Sequence, residues 1–146
     1  MALLKSARSA QYPLEAEFVF TFADSMVDIN GVLRNFADIQ AASIYELIPL
    51  PPAATLIGGE VSVDIAFVGG TATTLSVGDS GNGARYGAAI NLLAVGRTPL
   101  TLTGFIGNGE NIRTTFADTV AASTAGKVTL RVLYTVLNRS QEVVIK

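Results

Sequence analysis

The run GGEVSVDIAF, residues 58–67, decides the fold class. Val61, Val63, Ile65 and Phe67 alternate with Glu60, Ser62, Asp64 and Ala66. Successive side chains of a strand point to opposite faces, so this period reads as a half-buried strand with those four apolar residues facing a core. The Gly58-Gly59 pair before it marks a bulge or a bend. Further upstream, Pro49, Pro51 and Pro52 remove backbone donors, which puts that link at a sheet edge or outside the ladder. The preceding residues, ASIYELI, read as another strand.

The same period recurs along the chain. In EFVFTF, residues 17–22, Phe18, Phe20 and Phe22 share one face and Val19 and Thr21 the other, as expected of a core strand. An exposed aromatic ladder for stacking on sugars is the competing reading of these rings, with Tyr86 as a further candidate. SMVDINGVLRNF, residues 25–36, turns at Asn30-Gly31, and the stretch 32–42 fits either a helical turn or a poor strand. TATTLSVGD, residues 71–79, is a short strand, and YGAAINLLAVGR, residues 86–97, is one helical turn or a strand ended by Gly96. PLTLTGFIG and NIRTTFA read as two strands joined through a turn at Asn108-Gly109. DTVAASTA, residues 118–125, is a loop. In GKVTLRVLYTVLNRSQEVVI, residues 126–145, Val128, Leu130, Val132, Tyr134 and Val136 form one face; Leu133 and Leu137 suggest that the other is partly covered.

Some eight to ten strands with turn signals at about ten-residue intervals, and no long helix, predict an all-β chain built as a β-sandwich. A jelly roll is the expected form, with an immunoglobulin-like arrangement left open. Residues 1–14 show no steady period and carry Lys5 and Arg8, so they are expected to be an extended N-terminal arm, either frayed or ordered against a neighbouring subunit. Residues 15–146 form one domain.

Composition excludes more than it selects. The 146 residues include no histidine and no cysteine. The tetrapeptide Gly78-Asp79-Ser80-Gly81 matches the surroundings of a nucleophilic serine, yet Ser80 has no imidazole to take its proton. The lysines, Lys5, Lys127 and Lys146, do not lie in apolar sequence that would lower their pKa for a dyad. No enzymatic activity is therefore expected. A zinc site lacks its usual ligands. A calcium loop at 78–87 would rest on Asp79 as its sole carboxylate, so no metal or other cofactor is expected. The plain reading of that loop is a glycine-rich connection in which Asp79 and Asn82 bond nearby backbone amides. Glu60 and Asp64 share one strand face four residues apart, and exposure to solvent explains them better than glycosidase chemistry. Arg131 and Arg139 are expected to be solvated or paired at an interface.

A net charge of −2 argues against nucleic acid as a partner. No apolar run reaches the length of a membrane span, and the opening MALLKSARSAQYPLEAE lacks the apolar core of a signal peptide, so no membrane partner is expected. Hydrophobic residues make up 49% of the chain and charged residues only 15%, well below the quarter or so of ordinary domains. Part of the surface is expected to be covered by other chains.

Three segments carry a family resemblance. ELIPLPPAATLIGGEVSVDIAF passes from a proline link through GGEV into a strand. ATTLSVGDSGNGARYGAAINLLAVGRTPLTLTG holds TLSVGDSGNGARY and then INLLAVGRTPLT. ASTAGKVTLRVLYTVLNRSQEV ends in a long strand and an arginine-containing turn. Together, over about residues 43–143, they resemble the capsid decoration or cement proteins of tailed bacteriophages. The resemblance implies a small β-rich fold, often a jelly roll, that sits outside the phage head and bridges neighbouring capsomers. It implies no catalytic residues. Its partners would be the major capsid protein and copies of the chain itself, as a dimer or trimer. The location would be the virion exterior, after synthesis in the host cytoplasm. Lys5, Arg8, Tyr12, Arg85 and Tyr86 are the side chains expected at subunit contacts.

Overall fold

The computed structural model describes residues 12–137, and all of their regular structure is β. Eleven strands run in order: β1 (Leu14–Thr21), β2 (Ser25–Val27), β3 (Leu33–Asn35), β4 (Gln40–Ile48), β5 (Pro52–Val68), β6 (Ala72–Gly78), β7 (Gly87–Asn91), β8 (Gly96–Pro99), β9 (Ile106–Asn108), β10 (Ile112–Thr119) and β11 (Ala125–Val136). One sheet has the order β1-β11-β5-β8, with β9 also pairing β5, and the second has the order β4-β10-β6-β7. β2 and β3 form a separate hairpin. All recorded strand pairs are antiparallel. The expected β-sandwich is what forms.

The chain crosses between the two sheets at β4–β5, β5–β6, β7–β8, β9–β10 and β10–β11, so neighbours in sequence largely face each other across the core. That core is aromatic at its centre. Phe116 of β10 reaches across to Phe67 of β5 and Phe20 of β1, with ring centroids 5.7 Å and 6.4 Å apart. Phe36, just past β3, inserts its ring 4.4 Å from Phe20 and 5.4 Å from Phe116. The hairpin insertion thereby closes one side of the sandwich. Each such ring contributes about 1.5–3 kcal/mol by leaving water.

Several expectations from periodicity are corrected. Ile65 does not face the core; it is 51% exposed. The pairing explains why: Val128 opposes Val63, Lys127 opposes Ile65 and Ala125 opposes Val68, so the register shifts on either side of Ile65. The first shift turns Ile65 outward and the second returns Phe67 to the interior. The stretch 32–42, open between helical turn and poor strand, holds two strand pieces, β3 and the start of β4, joined through a turn at 36–39. The YGAAINLLAVGR segment is also strand, but β7 ends at Asn91 and Gly96 opens β8. The stretches around Asn108-Gly109 do not form a hairpin with each other, because β9 pairs β5 while β10 pairs β4 and β6. Leu137 is exposed, whereas Leu133 lies over Gly58. β1 begins at Leu14, one residue inside the stretch expected to be arm.

Candidate functional site

The loop between β6 and β7 is organised around one carboxylate. Asp79 is only 4% exposed and accepts hydrogen bonds from the amides of Gly81 at 2.8 Å and Asn82 at 2.9 Å. The Arg85 guanidinium donates to the same carboxylate through Nε and, at 3.3 Å, through a terminal nitrogen. Burial pushes the Asp79 carboxyl up, but Arg85 and the two amides outweigh it and hold the group below the ordinary carboxylate range. Asn82 in turn accepts from the Ala84 amide at 3.0 Å. Both side chains therefore bond nearby amides, the plain reading of the sequence. Ser80 lies exposed beside this knot, with its neighbouring carboxylate already committed.

Arg85 also stacks on Phe105, its guanidinium carbon 3.7 Å from the ring centroid, which ties the loop to the irregular stretch before β9. Tyr86 is 3% exposed, its ring in the core and its hydroxyl pKa raised by burial. Its side chain offers little surface to a neighbour, and Arg85 is mostly consumed within the chain. Tyr12 stands out at 83% exposed. Lys5, Arg8 and Arg139 lie outside the described residues.

The outer face of the first sheet is a ladder of satisfied charges. Glu17 of β1, Arg131 of β11 and Glu60 of β5 stand opposite one another, with Arg131 2.7 Å from Glu17 and 3.8 Å from Glu60. Arg97 of β8 adds a contact to Glu60 at 3.7 Å. Asp64 accepts from Thr129 at 2.6 Å and from Ser62 at 2.9 Å, and those bonds lower its pKa. Glu60 and Asp64 thus each have their own partners, and Arg131 finds its carboxylates within the chain.

The hairpin side differs. Asp28 caps the Asn30-Gly31 turn through the amides of Asn30 and Val32 and binds Arg34 at 2.8 Å, which together lower its pKa. This fixes β2 against β3 and leaves Val27, Ile29, Val32 and Leu33 exposed around the turn, Leu33 at 68%. Ile29 donates its amide to the Ile44 carbonyl at 3.0 Å, docking the turn on the edge of β4. An open groove of about 390 Å³ runs from Val27 and Ile29 to the Glu46–Arg113 pair. Periodicity could not find this patch, since its residues fall in two three-residue strands and a turn. Among the described residues, no cluster of three or more acidic side chains could hold a metal.

The aromatics weighed for sugar stacking are divided. Phe20 and Tyr86 are interior, while Phe18 and Phe22 are half-buried and packed against the core.

Fold and surface together define a two-sheet β-sandwich with tightly paired charges and an exposed aliphatic hairpin. No family model matches the chain, and no curated protein matches it. Among solved structures its fold is similar to a chain of the Cyanophage Pam1 capsid asymmetric unit, with a TM-score of 0.56 and 21% sequence identity. The likeness covers 91% of this chain and 92% of that one. At this identity it is a likeness of fold.

Proposed function

We propose that the chain is a non-enzymatic structural protein of a tailed-phage virion, binding the major capsid protein on the outside of the head and reinforcing the shell. The observation that carries this reading is the nearly end-to-end likeness of fold to a chain of a cyanophage capsid asymmetric unit. The sequence resemblance of residues 43–143 to decoration proteins points the same way. The strand order β1-β11-β5-β8 facing β4-β10-β6-β7, with its repeated crossings, supports a jelly roll.

The mechanism is contact area. A protein that bridges neighbouring capsomers adds binding free energy that rupture of the shell must overcome. The exposed aliphatic residues of the β2–β3 hairpin are the apolar centre of such a contact. A non-enzymatic reading is supported by a chain without histidine or cysteine, in which Asp79 beside Ser80 is bound to Arg85. The chain would be made in the host cytoplasm and end on the capsid exterior.

Copy number tests this. Quantitative mass spectrometry of purified particles of the phage encoding the chain should find it at a fixed, high ratio to the major capsid protein. Its absence, or presence at the few copies of a tail or fibre component, would overturn the decoration role.

A further inference from the structure

β1 is an edge strand, and its outer side is open. Phe22 donates its amide to Gly126 at 3.0 Å, towards β11, whereas Thr21 faces the other way: its amide donates to the Asp24 carboxylate at 2.7 Å and its carbonyl accepts from the Asp24 amide at 3.2 Å. Strand alternation then directs the N–H and C=O groups of Glu15, Glu17 and Val19 away from β11. No strand pairs with them among the described residues. Beside this edge runs an apolar groove of about 410 Å³ lined by Phe18, Phe20, Met26 and Phe36. An eight-residue edge next to an apolar trough is a template for strand addition.

We infer that the occupant is the N-terminal segment, residues 1–11, of a second copy of this chain, added as an extended strand along the free edge of β1. Three observations select it. The first is charge: residues 1–11 carry Lys5 and Arg8 and no carboxylate, while β1 carries no base, its Glu15 standing beside a Glu17 already paired with Arg131, and Asp24 lies at the groove. The segment also supplies Leu3 and Leu4 for the apolar trough. The second is length, since eleven extended residues reach about 36 Å and the eight of β1 span about 27 Å. The third is the Tyr12-Pro13 pair. For the segment to fold back on its own β1 through a two-residue Tyr12-Pro13 turn, Tyr12 would need positive φ and Pro13 would have to follow it, and a bulky residue such as Tyr12 disfavours that φ. A neighbouring copy has no such turn to make. The inference does not depend on the virion role.

The test uses the purified full chain, a chain lacking residues 2–11, and Val19→Pro. The proline removes one outward N–H from an edge strand while leaving the pairing with β11 in place. Sedimentation should find the full chain associated and both variants monomeric, with Val19→Pro keeping its folded circular-dichroism signature. In hydrogen exchange, the amides of Glu15, Glu17 and Val19 should exchange about tenfold or more slowly in the full chain than in the shortened one. A monomeric full chain, association unaffected by the deletion, or unprotected edge amides would each overturn the inference. Protection of those amides in a full chain that sediments as a monomer would also overturn it, by assigning the edge to the chain's own arm.

Discussion

The Arg85 guanidinium lies against the Asp79 carboxylate and, on its other side, 3.7 Å from the centroid of the Phe105 ring. This one side chain joins the β6–β7 loop to the segment before β9 and keeps a buried carboxylate satisfied. Asp79→Ala should therefore destabilise the domain by about 1–3 kcal/mol, because two amides and a guanidinium lose their acceptor. That corresponds to a melting temperature lower by roughly 3–10 °C.

The same residue sets a pH dependence. The Asp79 pKa is lowered in the folded chain, so the unfolded chain binds its proton more readily. Its contribution is complete above the unfolded value, near pH 4, and is lost as pH falls through the lower folded value. Asp24, Asp28, Glu46 and Asp64 are lowered as well and add to the same acid limb. Melting temperatures between about pH 6 and pH 3 should fall steeply for the native chain. Asp79→Asn should start lower and fall less.

Gly126 has φ +152°, and a Cβ there would sit 2.5 Å from the Phe67 ring at the centre of the core. Gly126→Ala should cost about 2 kcal/mol or more, through overpacking and backbone strain. Gly96→Ala is the control: it meets nothing within 4 Å and should shift stability by under about 0.5 kcal/mol. Chemical denaturation of the two variants separates these outcomes.

Leu33 on the hairpin is exposed and outside the core. Leu33→Glu should leave the melting temperature essentially unchanged yet weaken binding to phage heads by about tenfold or more, since a charge would enter an apolar contact. Equal affinity in a binding titration would remove the hairpin from the interface.

Ser80 should not react with a fluorophosphonate probe, and Ser80→Ala should bind heads as the native chain does. The serine has no imidazole anywhere in the sequence, and its neighbouring carboxylate is held by Arg85. Stoichiometric labelling of Ser80 would contradict a purely structural role.

The sandwich was legible because alternation persists wherever a strand has one wet and one dry face, as in Phe18–Phe22 and Val128–Val132. It failed at Ile65, where two register shifts reverse and then restore the facing of one strand; a local pattern carries no trace of the partner strand that forces them. The loop chemistry of Asp79 and Asn82 was readable from residue type and spacing. The burial of Tyr86 was not, because it depends on which distant segments close over the loop. The aliphatic patch of the hairpin is not legible for a similar reason: its turn dipeptide is plain, but its exposure follows from where the hairpin docks.

The most direct measurement is to mix the purified chain with expanded heads that lack it and image the particles by electron cryomicroscopy. The proposed role predicts added density, of the size of this sandwich, on the outer surface at repeated lattice positions. Heads that remain bare, or density confined to the tail or to a single vertex, would contradict it.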